Sequence, residues 1–337
     1  MALALFAAAC GGGGGSDSGT VTLRLAHPLS TPNTSHDAIV TKELPAAIEE
    51  ATDGAVKVQP IVGVIDTNEV LNGLREGRIE MAALSPSYLD QTHPLWAVLD
   101  LPGLGADKDP RLAARIAADV VRPVWEKDLE TWGASVGAIM TYPGTYFFSN
   151  GPVDSVDKFS GTRYRTHTGQ VTRFVEALGG APVGLEFAEL QPSLERGIVD
   201  AFTAGLAPLG DSDVLGAVDY VETWPMGLGT NLIVYSDAAL ADLEPELQQK
   251  VKKVLADIQE TVADRQAKEA EDALKRALDS GDLELVEIPA EEYDRAVAVA
   301  RENVWQPWLE QTGSRGQQLL DDVQRAFDAG LSAQSGS

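Results

Sequence analysis

The sequence predicts an α/β protein built as two lobes that share one long helix. Three observations carry this: strand and helix periods alternate through residues 157–205, a short pattern recurs in two places, and a long helical period begins at Pro245. In the first stretch, residues 162–166 form a strand-like run holding Arg163 and Arg165. Val171, Phe174, Val175 and Leu178 then recur at i, i+3, i+4 and i+7, the apolar stripe of a helix that Gly179-Gly180 stops. A strand over 181–187 follows. Pro192 opens a short helix ending at Arg196, Gly197 stops it, and 198–204 is an apolar strand. Strands and helices alternating through short turns indicate a parallel layer.

The recurrence pairs L71-N-G-L-R-E-G77-R-I-E80 with L190-Q-P-S-L-E-R-G197-I-V-D200. Each has leucines on a short helix, a stopping glycine, and an acid that opens an apolar strand. This suggests two lobes on one plan. The long helix runs from Pro245 to about Leu278, on the order of 50 Å at 1.5 Å per residue, which suits a strut along both lobes.

The remaining elements follow in order. Residues 21–26 form the first strand, ended by His27-Pro28. A helix over 38–52 is interrupted by Pro45. Strands cover 56–61 and 79–84, the second preceded by a helix with Thr67 as its cap. A helix covers 111–132 and a strand 135–142. Residues 143–152 form a loop rich in aromatics. Strands over 231–235 and 283–288 precede terminal helices over 291–308 and 315–329.

Composition limits the function. With 26 basic and 51 acidic residues the net charge is −25, which argues against nucleic acid or an anionic membrane surface as partner. An anionic ligand would need a local positive focus. Cys10 is the one cysteine, so no disulfide forms within the chain. It stands in LALFAAAC followed by five glycines, which resembles the end of a bacterial lipoprotein signal with Cys10 as the lipidated residue. Residues 1–19 would be signal remnant and flexible tether. The apolar run is short and lacks a basic start, so the expectation is a start upstream. No segment has about 18 consecutive apolar residues.

The candidate site residues come from strand ends. Arg163 and Arg165 share one strand face and Tyr164 the other. An arginine there can grip a carboxylate with two charge-assisted bonds, or be a solvated surface residue. His27, and Ser85, Ser87 and Tyr88, follow strands at their carboxyl ends, where open α/β sheets bind ligands. Tyr146 and Trp224 can line a pocket or fill a core. The four histidines show no metal spacing, and neither HExxH nor CxxC occurs. No cofactor motif is present. Residues 133–137 match G-x-S-x-G, but the helix precedes and the strand follows, the reverse of a nucleophile elbow.

Residues 157–200 resemble the signature of the solute receptors of tripartite ATP-independent periplasmic (TRAP) transporters, the dicarboxylate-receptor branch. The matching positions are Asp157, Gly161, Arg163, Arg165, Leu178-Gly179, Pro182-Val183, Glu189, Leu194, Gly197 and Asp200. The resemblance extends over nearly all of 20–330. It implies a periplasmic-binding-protein-like fold with a long helix spanning both lobes. Lobe I would be 20–144 plus 229–264, and lobe II 145–228 plus 265–332. It implies an extracytoplasmic receptor, not an enzyme, that captures an organic acid and delivers it to TRAP membrane subunits. Arg165 occupies the place that binds the ligand carboxylate, and Thr168 and Thr203 add hydroxyls nearby. A second arginine common in the family around 145–146 is replaced by Thr145-Tyr146. The expected ligand therefore has one carboxylate and an apolar or weakly polar body. A binding module for a sensor or another transporter type, and a cleft hydrolase, are the competing readings.

Overall fold

A computed structural model describes residues 19–28, 35–105, 110–142, 145–185, 189–209 and 213–334; the lipidation expected at Cys10 lies outside them. The strands form two sheets. The first has the order β2-β1-β3-β10-β4, with β1 (Val21–His27), β2 (Val56–Val62), β3 (Met81–Leu84), β4 (Ala134–Tyr142) and β10 (Gly229–Ser236). The second has the order β11-β9-β5-β8-β6-β7. Its members are β5 (Thr145–Ser149), β6 (Arg163–Thr166), β7 (Ala181–Gly184), β8 (Ala201–Gly205), β9 (Tyr220–Glu222) and β11 (Glu284–Val286).

The sheets follow one plan. In each, one strand lies parallel between two others: β1 between β2 and β3, and β6 between β7 and β8. An antiparallel strand follows, β10 beside β3 and β5 beside β8. The recurring sequence pattern is the staple of this plan. In the first sheet Arg24 donates its main-chain N–H to Glu80 Oε2 at 2.7 Å, and its guanidinium to both oxygens of that carboxylate. In the second, Arg163 N–H reaches Asp200 Oδ2 at 3.0 Å and its guanidinium takes both oxygens. The preceding helices, α3 (Val70–Arg75) and α6 (Leu190–Glu195), end at Gly77 and Gly197, whose φ of 68° and 63° a side chain would strain.

The helix α1 (Ser35–Ala38) runs into α2 (Leu44–Ala51) through a π-turn over Ile39–Glu43, where Leu44 N–H bonds to Ile39 O. The wider turn accommodates Pro45, which has no N–H and would crowd the carbonyl four residues back. The expected interruption is thus a π-turn inside one helix. The same device precedes Pro307: α10 (Ala290–Ala300) joins α11 (Gln306–Gln334) through a π-turn over Arg301–Trp305. Within α11, Gly313 breaks the helix at φ 62° and ψ −145°.

The long helix is α9 (Pro245–Ser280), 36 residues. Its first half packs Val251, Leu255 and Val262 into the first sheet's core with Leu44, Met81 and Ile233. Its second half packs Ala270 and Ala273 against Phe148, Phe202 and Val221 of the second sheet. The other helices are α4 (Pro110–Leu129), α5 (Gly169–Ala177), α7 (Leu206–Leu209) and α8 (Asp237–Ala241). The terminal α11 packs on α4 and on the turn Pro94–Asp100, while the π-turn before it packs on α5.

Two local expectations are corrected. Residues 145–149 form a strand, not a loop, because Phe147 and Phe148 are both buried, one on each face of the sheet. Thr67 is not a cap; Asp66 is, its side chain accepting from Asn68 N–H at 2.9 Å.

Candidate functional site

The crossings between the sheets define where a site can be. The chain leaves the first sheet at the end of β4 and enters the second at the start of β5; it returns from β9 to the start of β10. Thr145 pairs with Gly205 at the end of β8, and Gly229 pairs with Tyr142 at the end of β4. The carboxyl ends of β1 and β3 therefore face those of β6 and β8. The helix α1, which follows β1, packs against α7, which follows β8, so the two halves touch across this boundary.

A cleft of about 470 Å³ lies here. Ser87, Tyr88, Asp90 and Gln91 line it from the turn after β3, and Arg165, Thr166, His167, Thr168, Leu185 and Glu189 from the other side. Arg165 is 4% exposed, and its Nε donates to Leu185 O at 2.9 Å. That bond orients the guanidinium at the cleft wall. Thr168 caps α5, accepting from Val171 N–H at 3.3 Å. The rings of Tyr88 and His167 meet at 5.9 Å across the cleft. Burial, and then the Arg165 charge, push His167 down to about 3, so its imidazole is neutral. Asp90 Oδ2 lies where a Cβ on Gly169 would approach to 2.5 Å, so the carboxylate rests on the first turn of α5 because residue 169 has no side chain. Burial pushes the nearby Asp100 up to about 6, against the opposing hydrogen bonds of Ser87 and Thr168.

The structure thus brings Arg165, Tyr88 and Thr168 together. His27 is buried at the end of β1 and is not among the residues lining the cleft. Ser85 gives its hydroxyl to Thr230 O at 3.1 Å, and it is Ser87 that reaches the cleft. Tyr146 packs on Phe148, on the face that α9 covers. Thr203 is fully buried and its hydroxyl has no partner. Trp224 donates to Val153 O at 2.9 Å and stands edge-on to Phe159 at 5.0 Å, inside a core. His167 and Asp90 had no signal in the sequence beyond their closeness to Arg165 and Tyr88.

Ser135 of the G-x-S-x-G stretch lies on β4 and donates to Asp237 Oδ1 at 2.6 Å, so no nucleophile elbow forms there. Among the described residues no group of three or more His, Cys, Asp or Glu is placed to hold a metal ion. Nor is any helix among them long and apolar enough to cross a membrane.

Two α/β lobes on one plan, joined by crossing strands and a shared helix around a cleft, define a two-lobe solute-binding protein. The chain belongs to the bacterial extracellular solute-binding protein family 7, DctP, whose pattern matches residues 25–311. Similar solved structures are TRAP-type or extracytoplasmic solute receptors. One is DctP7 of Bordetella pertussis, which binds pyroglutamic acid: 17% identity, TM-score 0.82, covering 90% of this chain and all of that one. A receptor of Shewanella oneidensis with bound succinate has 17% identity and a TM-score of 0.79, covering 91% of this chain and 99% of the other. A receptor of Rhodoferax ferrireducens with copurified benzoate has 17% identity and a TM-score of 0.80, covering 94% and 100%. At such identity the likeness establishes the fold. The family is extracytoplasmic, and its members are solute-binding receptors.

Proposed function

We propose that the chain captures an organic acid outside the cytoplasmic membrane and delivers it to TRAP membrane subunits, with Arg165 as the carboxylate anchor. The observation that carries this is an arginine only 4% exposed, lining a cleft in a chain of net charge −25. In a strongly acidic protein it is the local positive focus an anion needs. Partial removal from water strengthens its bidentate grip.

The ligand class is a single carboxylate on a larger, weakly polar or apolar body. Thr145 and Tyr146 stand where the family often has a second arginine. Tyr88 and Thr168 supply the contacts nearest the anchor, and Ser85, Tyr146, Thr203 and Trp224 act through the walls that hold it. The pyroglutamate and benzoate bound by similar receptors fit this class. Lobe I is 20–144 plus 229–264 and lobe II 145–228 plus 265–332, with α11 lying back across lobe I. Closure of the lobes excludes water and is favoured by contacts the ligand makes only in the closed state. The chain acts as a receptor and not as a hydrolase, because Ser135 is tied to Asp237 on a strand.

Thermal melting across a panel of organic acids tests the anchor, since a ligand of the native state raises the melting temperature by mass action. The expected result is a rise with a monocarboxylate that Arg165→Ala abolishes. A rise with sugars or amines alone, unchanged in the variant, would remove Arg165 from its role; a preference for succinate would overturn the ligand class.

A lipid anchor at Cys10 is the second part of the proposal, supported by the LALFAAAC-glycine sequence. Two or more acyl chains would hold the protein to the membrane. Cys10→Ala should move it to the soluble fraction; unchanged membrane retention would refute the anchor.

A further inference from the structure

The cleft wall across from Arg165 carries the opposite charge. Ser87, Tyr88, Asp90 and Gln91 line it from the turn after β3, and Asp90 is the charged residue among them. Asp90 is 8% exposed, and its main-chain N–H bonds to Ser87 O at 3.4 Å, which fixes it on the turn. Its Oδ1 accepts from the amide of the neighbouring Gln91 at 3.2 Å. Among the described residues no lysine, arginine or histidine forms an ion pair with it. Its charge is felt instead by a second carboxyl, Asp100, whose hydrogen-bond partners Ser87 and Thr168 stand in opposite walls of the same cleft. The first turn of α5, on which Asp90 rests, favours the ionised form. An ionised carboxyl has acceptor oxygens and no donor.

We infer that Asp90 is a specificity-determining residue: it accepts a hydrogen bond from an N–H or O–H on the body of the ligand whose carboxylate Arg165 holds, and it excludes a second carboxylate. This rests on the reading of Arg165 as the anchor. The argument is one of satisfaction. A bare hydrocarbon that fills the cleft takes water from Asp90 and returns no donor, so a nearly buried charge loses a bond. A second carboxylate adds like-charge repulsion where little water screens it. An N–H or O–H replaces the water with a charge-assisted bond. Discrimination by a buried polar group that demands a partner exceeds discrimination by apolar fit.

The test is calorimetric binding to the full chain of two matched sets of acids. Benzoate, 3-hydroxybenzoate and isophthalate carry hydrogen, hydroxyl and a second carboxylate at one ring position. Cyclopentanecarboxylate and pyroglutamate differ by the lactam, and glutarate is the open-chain dicarboxylate. In the set that binds, the member with a donor should bind at least about tenfold tighter than the bare and the dianionic members, the size of one good hydrogen bond to a charged group. Asp90→Ala should bring the donor-bearing and bare members to within about threefold. Asp90→Asn, which keeps an acceptor and removes the charge, should retain part of that gap and raise the affinity for the dicarboxylate; it gives the same readout should the alanine variant fail to fold. A merely structural role for Asp90 would weaken all members alike and leave their ratios unchanged. If the probes bind and lose affinity in Arg165→Ala, but the bare member equals the donor-bearing one or the Asp90 variants keep the ratios, this inference alone falls. If none binds, or Arg165→Ala changes nothing, the reading of the cleft falls and this inference with it.

Discussion

Glu222→Gln should stabilise the protein at high pH and leave it nearly unchanged at low pH. Glu222 is 0% exposed on β9, between β5 and β11. Its carboxylate accepts from the Ser149 hydroxyl and, at 3.4 Å, from Val153 N–H, while Oε2 has no partner. Burial pushes the group from its ordinary 4.5 up to about 7, the two hydrogen bonds opposing. The folded state therefore binds this proton more tightly than the unfolded chain. Stability from this group is greatest below 4.5, declines as pH rises through 4.5 to 7, and is level above. The gap corresponds to about 3 kcal/mol. The glutamine keeps an acceptor for Ser149 and Val153 and carries no charge. For a chain of this length about 3 kcal/mol is a rise of roughly 4 °C in Tm. Asp100, raised to about 6, adds a slope of the same sign, and it is common to both proteins and cancels in the difference. The assay is thermal unfolding of wild type and variant from pH 4 to 9. A gain that is the same at pH 4 and pH 8, or a loss at pH 8, would refute the argument.

Three further perturbations follow from single contacts. Gly227→Ala places a Cβ 2.4 Å from Leu99 O and 2.6 Å from Asp100 C, both backbone, beside the return crossing; denaturant unfolding should show a loss of about 2–4 kcal/mol, and an unchanged midpoint would contradict the packing. Gln259→Leu removes the acceptor that takes Ile139 N–H at 2.7 Å and Arg122 Nη2 at 2.6 Å on the free edge of β4; the expected cost is about 1–3 kcal/mol by urea unfolding, and no cost would mean that edge is satisfied otherwise. Arg163→Ala breaks an exposed staple, so Tm should fall by only about 1 °C while the ligand-induced shift persists; loss of that shift would make Arg163 a binding residue.

The sequence made some of this legible and hid the rest for physical reasons. The long helix was readable because its apolar stripe continues from Leu247 to Leu278, although it serves a different core in each half. The strand β5 was not. Both faces of the sheet are covered there, so Tyr146, Phe147 and Phe148 show no polar alternation and read as a loop between Gly and Asn. At the cleft, Arg165 was readable because its place in a spaced motif marks it. The His27–His36 contact, outside the cleft lining, was not, because the residues meet only after the chain turns between β1 and α1, and nine residues apart they match no helical or strand period. Trp224 carried an ambiguity that only packing resolves, since an indole with one hydrogen bond fits a core or a pocket equally well.

The matching plans of the two sheets separate architecture from function within the motif itself. Arg24 pairs with Glu80 just before Leu25 meets Met81, and Arg163 pairs with Asp200 just before Tyr164 meets Ala201. The stapled arginine and its acid are therefore properties of the plan, present in both lobes, and neither needs a ligand to explain it. Two residues further on the lobes differ: the second has Arg165 beside Phe202, and the first has Ala26 beside Ala82. One more step gives Thr166 in the second and His27 in the first. A site made twice by the same plan would be symmetric and would hold two like groups. The cleft has a cation, Arg165, in the wall from the second sheet, and Ser87, Tyr88, Asp90 and Gln91 in the wall from the first. The asymmetry arises in the positions just past the staples, where only the second sheet carries a cation.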